Sequence, residues 1–210
     1  QTMEEQTIES RKTPIMGWSS WNALGSSISE EKLKEQMDLM VSLGLKDAGY
    51  VYFNTDDGFQ NGRDATTGRL RVNETKFPNG MKVIADYAHS KGLKAGIYTD
   101  AGDNNCSWSS DKTLDWGVGV GLYQHENDDL YRYLGDGIYR DTYAQNHPED
   151  PGVECWGFDF IKVDWCGGQN AKLSAQTQYT KIGNIINEIE GVYNKDKIYN
   201  ICMWAYEVPF

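Results

Sequence analysis

Apolar and polar positions along the 210-residue chain fall into two alternating rhythms. Short runs rich in β-branched and aromatic residues read as strands. Between them stand longer stretches whose apolar residues recur every three or four positions, as a helix with one buried face requires. "PIMGWSSW" reads as a first strand, and "SEEKLKEQMDLMVSLG" as the helix after it, with Ser29 as N-cap, acidic residues in the first turn and Gly44 past the end. Leu33, Met37, Met40 and Val41 make its buried stripe. "YVYFNTDDGF" gives a second strand, and "GMKVIADYAHSKG" a second helix closed by Lys91 and Gly92. "KAGIYTDAG" is a third strand, "DFIKVDW" a fourth, "LSAQTQYTKIGNIINEIEG" the helix that follows it, and "KIYNICMW" a fifth.

This βαβα order predicts an α/β fold. Five strand-helix units fit the first part of a (β/α)8 TIM barrel, whose usual length of about 250 residues exceeds this chain. The sequence therefore divides into an N-terminal extension over 1–12 and a partial (β/α)8 domain over 13–210. The stretch "CMWAYEVPF" follows a strand directly, where a further helix is expected, so the chain reads as a fragment. A doubly wound open sheet is the alternative, but no GxGxxG follows the first strand and polar residues gather after several strands rather than at one crevice. Between the third and fourth strands, about 103–155, lies an excursion rich in Asp, Asn, Gly and Pro and partly helical in pattern. Its Asp128, Asp129 and Tyr131 are expected to be solvated loop residues.

Charge narrows the classes of partner. A net charge of -11, without clustered Lys and Arg, argues against nucleic acid or anionic lipid as a partner. Seven Trp and thirteen Tyr suit a sugar site, although ordinary packing explains any one of them. No run reaches the roughly 18–20 apolar residues of a membrane span, and "QTMEEQTIES" lacks the regions of a signal peptide. Cys106, Cys155, Cys166 and Cys202 are too far apart for a CxxC motif and have no His at zinc spacing. Disulfides, and with them an oxidising compartment, fit better than metal, with buried free thiols as the other reading.

The sharper signal is where the acids fall. Strands two, three and four finish in "NTDDG", "YTDAG" and "KVDWC", so Asp56, Asp57, Asp100 and Asp164 all lie at carboxyl ends, which share one rim in a barrel. Four carboxylates there raise one another's pKa unless donors, a cation or a ligand offset them. Lys162, two residues before Asp164, points to the same side of the strand and supplies one such cation. Adjacent Asp56 and Asp57 face opposite ways in extended backbone, so both reach one ligand only if a turn at Gly58 redirects one of them. An Asp after a strand is often only the N-cap of the next helix, and that reading stands for each acid alone. A hard cation needs many oxygens from one loop, a pattern not found here.

"TPIMGWSSWN", "FNTDDGF", "FPNGMKVIADYAHSKGLKAGIYTDAG", "WGFDFIKVDWC" and "ICMW" resemble, in this order and nearly this spacing, glycoside hydrolase family 27, the α-galactosidases (melibiases) and α-N-acetylgalactosaminidases. The resemblance runs from Thr13 onward. It implies a retaining exo-glycosidase acting on terminal α-D-galactosides, with no cofactor and no metal. Asp164 corresponds to the nucleophile and Lys162 to the lysine that hydrogen-bonds sugar hydroxyls. Asp56 and Asp57 correspond to the pair that binds the 4- and 6-hydroxyls, Trp21 to a pocket-lining aromatic, and Tyr98 and Asp100 to the "Y-x-D" beside the nucleophile. Cys106 and Cys166 match a disulfide of the family, and the resemblance further implies a secreted or periplasmic enzyme. Its partners would be a galactose-containing oligosaccharide or glycoside and the remaining C-terminal part of the barrel, with no nucleic acid and no membrane span.

Three features depart from the family. Its acid/base follows a later strand, beyond Phe210, so these residues carry half of the catalytic pair. Met203 stands where the family often has a Glu facing the 2-hydroxyl, which keeps a β-L-arabinopyranosidase open as an alternative. A chain that binds sugar without turnover, or an inactive fragment because the acid/base lies beyond residue 210, is the third reading. The excursion is longer than in compact members. His89, His125 and His147 have no expected role, and Cys155 and Cys202 are left either paired or free.

Overall fold

The computed structural model describes residues 13–108 and 125–203. The N-terminal extension and the centre of the excursion, 109–124, lie outside the described residues. In chain order the elements are β1 (Gly17–Ser19), α1 (Trp21–Leu24), α2 (Glu30–Ser42), β2 (Tyr52–Asn54), β3 (Gln60–Arg63) and β4 (Leu70–Val72). There follow α3 (Lys82–Ser90), β5 (Lys94–Asp100), a 3-10 turn (Cys106–Trp108), α4 (His125–Leu134), β6 (Ile138–Tyr139), α5 (Thr142–Asn146) and β7 (Val153–Glu154). The last are β8 (Phe160–Asp164), α6 (Ala175–Tyr193) and β9 (Ile198–Ile201).

Five strands pair in the order β1-β2-β5-β8-β9, every pairing parallel. Spatial order follows chain order without a reversal. A doubly wound sheet turns back at a switch point and a barrel does not, so this is an arc of a (β/α)8 barrel. Register decides which side chains share the concave face. Asn54 is level with Gly96, Gly96 with Phe160, Tyr98 with Lys162, and Asp100 with Asp164. Gly96 lets this layer close, because a Cβ there would stand 2.0 Å from the Asn54 Oδ1 and 2.8 Å from the Phe160 ring.

The opposite face carries Phe53, Ile97, Ile161 and Val163, which pack beneath the helices. Leu33, Met37 and Met40 of α2, Ile84, Ala85 and Ala88 of α3, and Tyr179, Ile182, Ile186 and Ile189 of α6 recur at helical spacing and are buried there. Ser29 caps α2 as the sequence predicts, accepting from the Lys32 amide at 3.3 Å. Ser174 caps α6 in the same way, through Thr177.

Two departures from the sequence reading bear on the site. The first strand is shorter than "PIMGWSSW", because its end turns into α1, which begins at Trp21. Asp128, Asp129 and Tyr131 are not solvated loop residues: they lie on α4 at 0%, 1% and 5% exposure. Burial of Asp129 is offset by a bidentate pair with Arg63 of β3, at 2.7 and 3.3 Å, and Tyr131 donates to Glu188 of α6 at 2.6 Å. Charges in the excursion thus reach partners on distant elements, which periodicity cannot reveal. Among the described residues, Asp129, Arg132, Asp141 and Asp150 of the excursion bond to the β3–β4 hairpin. Arg69 bonds Asp141 through two nitrogens at 2.6 and 3.1 Å and Asp150 through a third at 2.9 Å.

Candidate active site

The inward positions near the carboxyl ends of β2, β5 and β8 bring the sequence-selected acids together. Lys162 is the hub. Its Nζ donates to the Asp56 Oδ2 at 2.9 Å and lies 3.9 Å from the Asp164 Oδ2. Burial, the largest single influence, would lower the ammonium's pKa, but the hydrogen bond to Asp56 together with the charges of Asp56 and Asp164 holds the group above its ordinary value. Tyr98, one strand over, places its hydroxyl 3.4 Å from both the Asp100 and the Asp164 Oδ2. That hydroxyl also accepts from the Cys106 amide at 3.3 Å. Burial raises the phenol well above its usual range, so it stays protonated as a donor beside the carboxylates.

Asp164 is held from several sides. Its Oδ1 accepts from the Trp165 amide at 3.0 Å, and its backbone carbonyl accepts from the Tyr179 hydroxyl of α6 at 3.0 Å. Asp56 and Asp57 lie just beyond β2, where the chain turns at Gly58. Gly58 has φ +118, and a Cβ there would stand 2.8 Å from the Ser26 backbone. Ser20 accepts from the Asp56 amide at 2.9 Å, and Asp56 turns to Lys162. Asp57 turns toward the loop after β5, accepting from the Asn105 Nδ2 at 2.5 Å and the Ser107 amide at 2.7 Å. Its carboxyl is nonetheless pushed above the usual range, because burial outweighs these donors. Asp100 is raised further for the same reason, despite bonds from the Cys166 and Gly102 amides at 2.9 and 2.6 Å. Desolvation, more than mutual repulsion of the acids, therefore leads both shifts.

Cys106 and Cys166 form a disulfide with Cα atoms 5.2 Å apart, tying the loop after β5 to the loop after β8. Their sulfurs lie within 4.8 Å of the Asp100 and Asp164 oxygens, yet a disulfide sulfur is not a thiolate ligand and the set does not fit a metal ion. Cys155 and Cys202 are both free thiols. Trp21 stands at the head of α1, 39% exposed, on the chain segment that also delivers Ser20 to Asp56. Met203 is half-buried against the core. His89 lies on α3 and pairs with Asp159 at 2.7 Å, away from the rim.

Sequence reasoning passed over Ser20, Asn105 and Ser107. Asn105 and Ser107 flank a cysteine already singled out, but nothing in residue type or spacing marks them as partners of Asp57. On the concave side of the sheet, Lys162 and Asp56 border a cavity of about 560 Å³ together with Ser19, Asn54, Phe160 and Asn200. A cation between two carboxylates, a phenol and a ring of buried acceptors can bind a neutral polyol, and it presents a fixed carboxylate to a reacting carbon.

Residues 13–147 match the family model described as alpha galactosidase A. The chain is 34% identical to alpha-galactosidase A of Cellvibrio japonicus, over 95% of this chain and 40% of that protein. It is 37% identical to a probable alpha-galactosidase of Dictyostelium discoideum, over 94% of this chain and 42% of that one. Among solved structures, the α-galactosidase of Saccharomyces cerevisiae superposes with a TM-score of 0.66 at 28% identity, covering 91% of this chain and 35% of that one. The alpha-galactosidase I of Mortierella vinacea does so with a TM-score of 0.65 at 31% identity, covering 91% and 41%. The chain thus spans about 40% of the length of these curated relatives. Spanning the first strands of the barrel and the acids on its rim, the chain belongs to the α-galactosidase family of melibiases, glycoside hydrolase family 27.

Proposed function

We propose that this chain supplies the sugar-binding rim and the nucleophile of a retaining exo-glycosidase that hydrolyses terminal α-D-galactosides, as part of a longer parent enzyme. The observation that carries the reading is the Asp56–Lys162–Asp164 array, with Nζ at 2.9 and 3.9 Å from the two carboxylates. Asp164 donates an electron pair to the anomeric carbon as the glycosidic bond breaks, giving a glycosyl-enzyme ester. A second carboxylic acid protonates the departing oxygen, and the same group then takes a proton from the water that cleaves the ester. That acid/base is assigned to the portion of the family's length that these residues do not span.

Lys162 suits the first step because its ammonium, 3.9 Å from the Asp164 Oδ2, keeps a positive charge beside the attacking carboxylate. Asp56 and Asp57 accept from the sugar's 4- and 6-hydroxyls, Lys162 donates to hydroxyls, and Trp21 lines the entrance. Tyr98 and Asp100 hold the nucleophile's flank. A related yeast α-galactosidase has been solved with raffinose, which supports an α-galactoside as the ligand class. The Cys106–Cys166 disulfide supports a secreted or periplasmic location. Among the described residues no helix is long and apolar enough to cross a membrane.

The test is turnover of p-nitrophenyl α-D-galactoside by the parent enzyme, with Asp164→Asn as control. Loss of at least about 1,000-fold in kcat is expected, because that change removes the covalent step. Turnover unaffected by Asp164→Asn would overturn the assignment. Faster hydrolysis of p-nitrophenyl β-L-arabinopyranoside than of the galactoside would instead move the specificity to the pentose.

A further inference from the structure

Two neighbouring rim acids are held by different means. Asp56 bonds the cation Lys162, whereas Asp57 accepts from Asn105 and Ser107, residues of the loop after β5. The Asn105 side chain has only one chemically sensible orientation. Its Nδ2 lies 2.5 Å from the Asp57 Oδ1, 3.2 Å from the Ser107 Oγ and 3.5 Å from the Gln60 Oε1, and an oxygen in that place would face the acceptor-only carboxylate of Asp57, a cost larger than that of leaving the buried Asn105 Oδ1 without a partner. The loop itself is fixed at the same point. The Asn104 Nδ2 bonds the Asn105 carbonyl at 2.9 Å, and the following residue, Cys106, is tied to Cys166. Asn105 is 4% exposed, so its geometry is set by packing rather than by solvent.

We propose that Asn105 is the positioning residue for Asp57: its amide fixes Oδ1, aiming the carboxylate's remaining lone pairs at one sugar hydroxyl and making Asn105 a determinant of which hydroxyl is recognised. This rests on the galactoside reading above. A neutral donor suits the task. Burial already pushes the Asp57 carboxyl upward, and the bonds from Ser107 and Asn105 act in the opposite sense, preserving an acceptor without adding a second cation to the rim. Lys162 can then remain committed to Asp56 and Asp164.

The experiment compares parent enzymes carrying Asn105, Asn105→Asp and Asn105→Thr on p-nitrophenyl α-D-galactoside and on its 4-deoxy and 6-deoxy analogues. Asn105→Asp keeps the shape but removes the neutral amide donor and sets a second carboxyl against Asp57, so the pair either repels or shares one proton. With the parent substrate KM is expected to rise about 10-fold or more, and kcat to fall by less than that. Asn105→Thr, which keeps a shorter donor, is expected to recover part of the loss. The readout that separates positioning from packing is substrate dependence: for the one analogue lacking the hydroxyl that Asp57 accepts from, the Asn105→Asp penalty shrinks to about 2-fold or less. Equal penalties on all three substrates, or an unchanged KM, would overturn the inference while leaving the galactosidase reading intact. A wild-type enzyme that does not hydrolyse galactosides removes that reading and this inference with it. Should Asn105→Asp not fold, Asn105→Ala carries the same substrate comparison.

Discussion

At the end of β5 the Asp100 carboxyl is 2% exposed, and burial holds it well above the usual carboxylate range even though amides of Gly102 and Cys166 donate to it. The folded protein therefore binds this proton more tightly than the unfolded chain, whose aspartates titrate near about 3.9. Stability from this group is present at low pH and declines as the pH rises from about 4 through the raised folded value. Asp100→Asn keeps an acceptor for Gly102 and has no proton to lose. It is expected to melt about 2–4 °C higher than wild type at neutral pH and to lose that advantage near pH 4. Calorimetry at the two pH values checks this, and a lower melting temperature at both would contradict it. Lys162 and Asp164 were legible in the sequence because a strand's two-residue period places them on one face, and Asp100 because it closes a strand at its carboxyl end. Asn105 and Ser20 were not, because each acts on a residue 48 or 36 positions away through a single hydrogen bond.

Loops and hairpins around the sheet depend on cross-links that tie one element to another. The Cys106–Cys166 disulfide closes a loop with a sequence separation of 60 between β5 and β8. Replacing both cysteines by serine is expected to cost about 4 kcal/mol, chiefly by freeing the unfolded chain. Denaturant unfolding of oxidised wild type against the double variant measures it, and a difference below about 1 kcal/mol would mean that neighbouring contacts already brace the loops. Arg69, near the tip of the β3–β4 hairpin, holds Asp141 and Asp150 of the excursion. Asp141 is 0% exposed and also caps α5 through the Ala144 amide at 2.8 Å. Arg69→Met leaves that buried carboxylate without its cation, at an expected cost of about 3 kcal/mol. Adding Asp141→Asn, which retains a capping oxygen, should restore a large part in the same unfolding assay. The helices α2, α3 and α6 and the five main strands were legible because each has a strong period and a terminating Gly or N-cap. The start of α1 was read as strand, and α4 and α5 were not placed. The hairpins were not: β3, "QNGR", has no apolar residue, and its stability comes from Arg63 and Arg69 meeting acids far along the chain.

For the molecule as a whole, the governing fact is that a barrel interior is a packed core of inward side chains rather than a pore. Here the concave face of the five-stranded sheet borders a cavity of about 560 Å³, with Phe160 and Ile198 beside the polar Asn54, Lys162 and Asn200. Among the described residues β1 pairs only with β2 and β9 only with β8, so two strand edges offer backbone donors and acceptors to any matching chain. These 210 residues taken alone are therefore expected to unfold without a sharp transition and to self-associate. Within a polypeptide of the relatives' length, the same residues are expected to melt cooperatively. Calorimetry and sedimentation on both proteins test this. A monodisperse 210-residue monomer whose calorimetric and van't Hoff enthalpies agree would mean that the arc is a self-sufficient folding unit, stabilised by its outer helices without closure of the sheet. The rim chemistry would then be assembled before the barrel closes. On the galactoside reading proposed above, the isolated chain is then expected to bind galactose weakly through Asp56, Lys162 and Asp164, and equilibrium titration with the free sugar tests this.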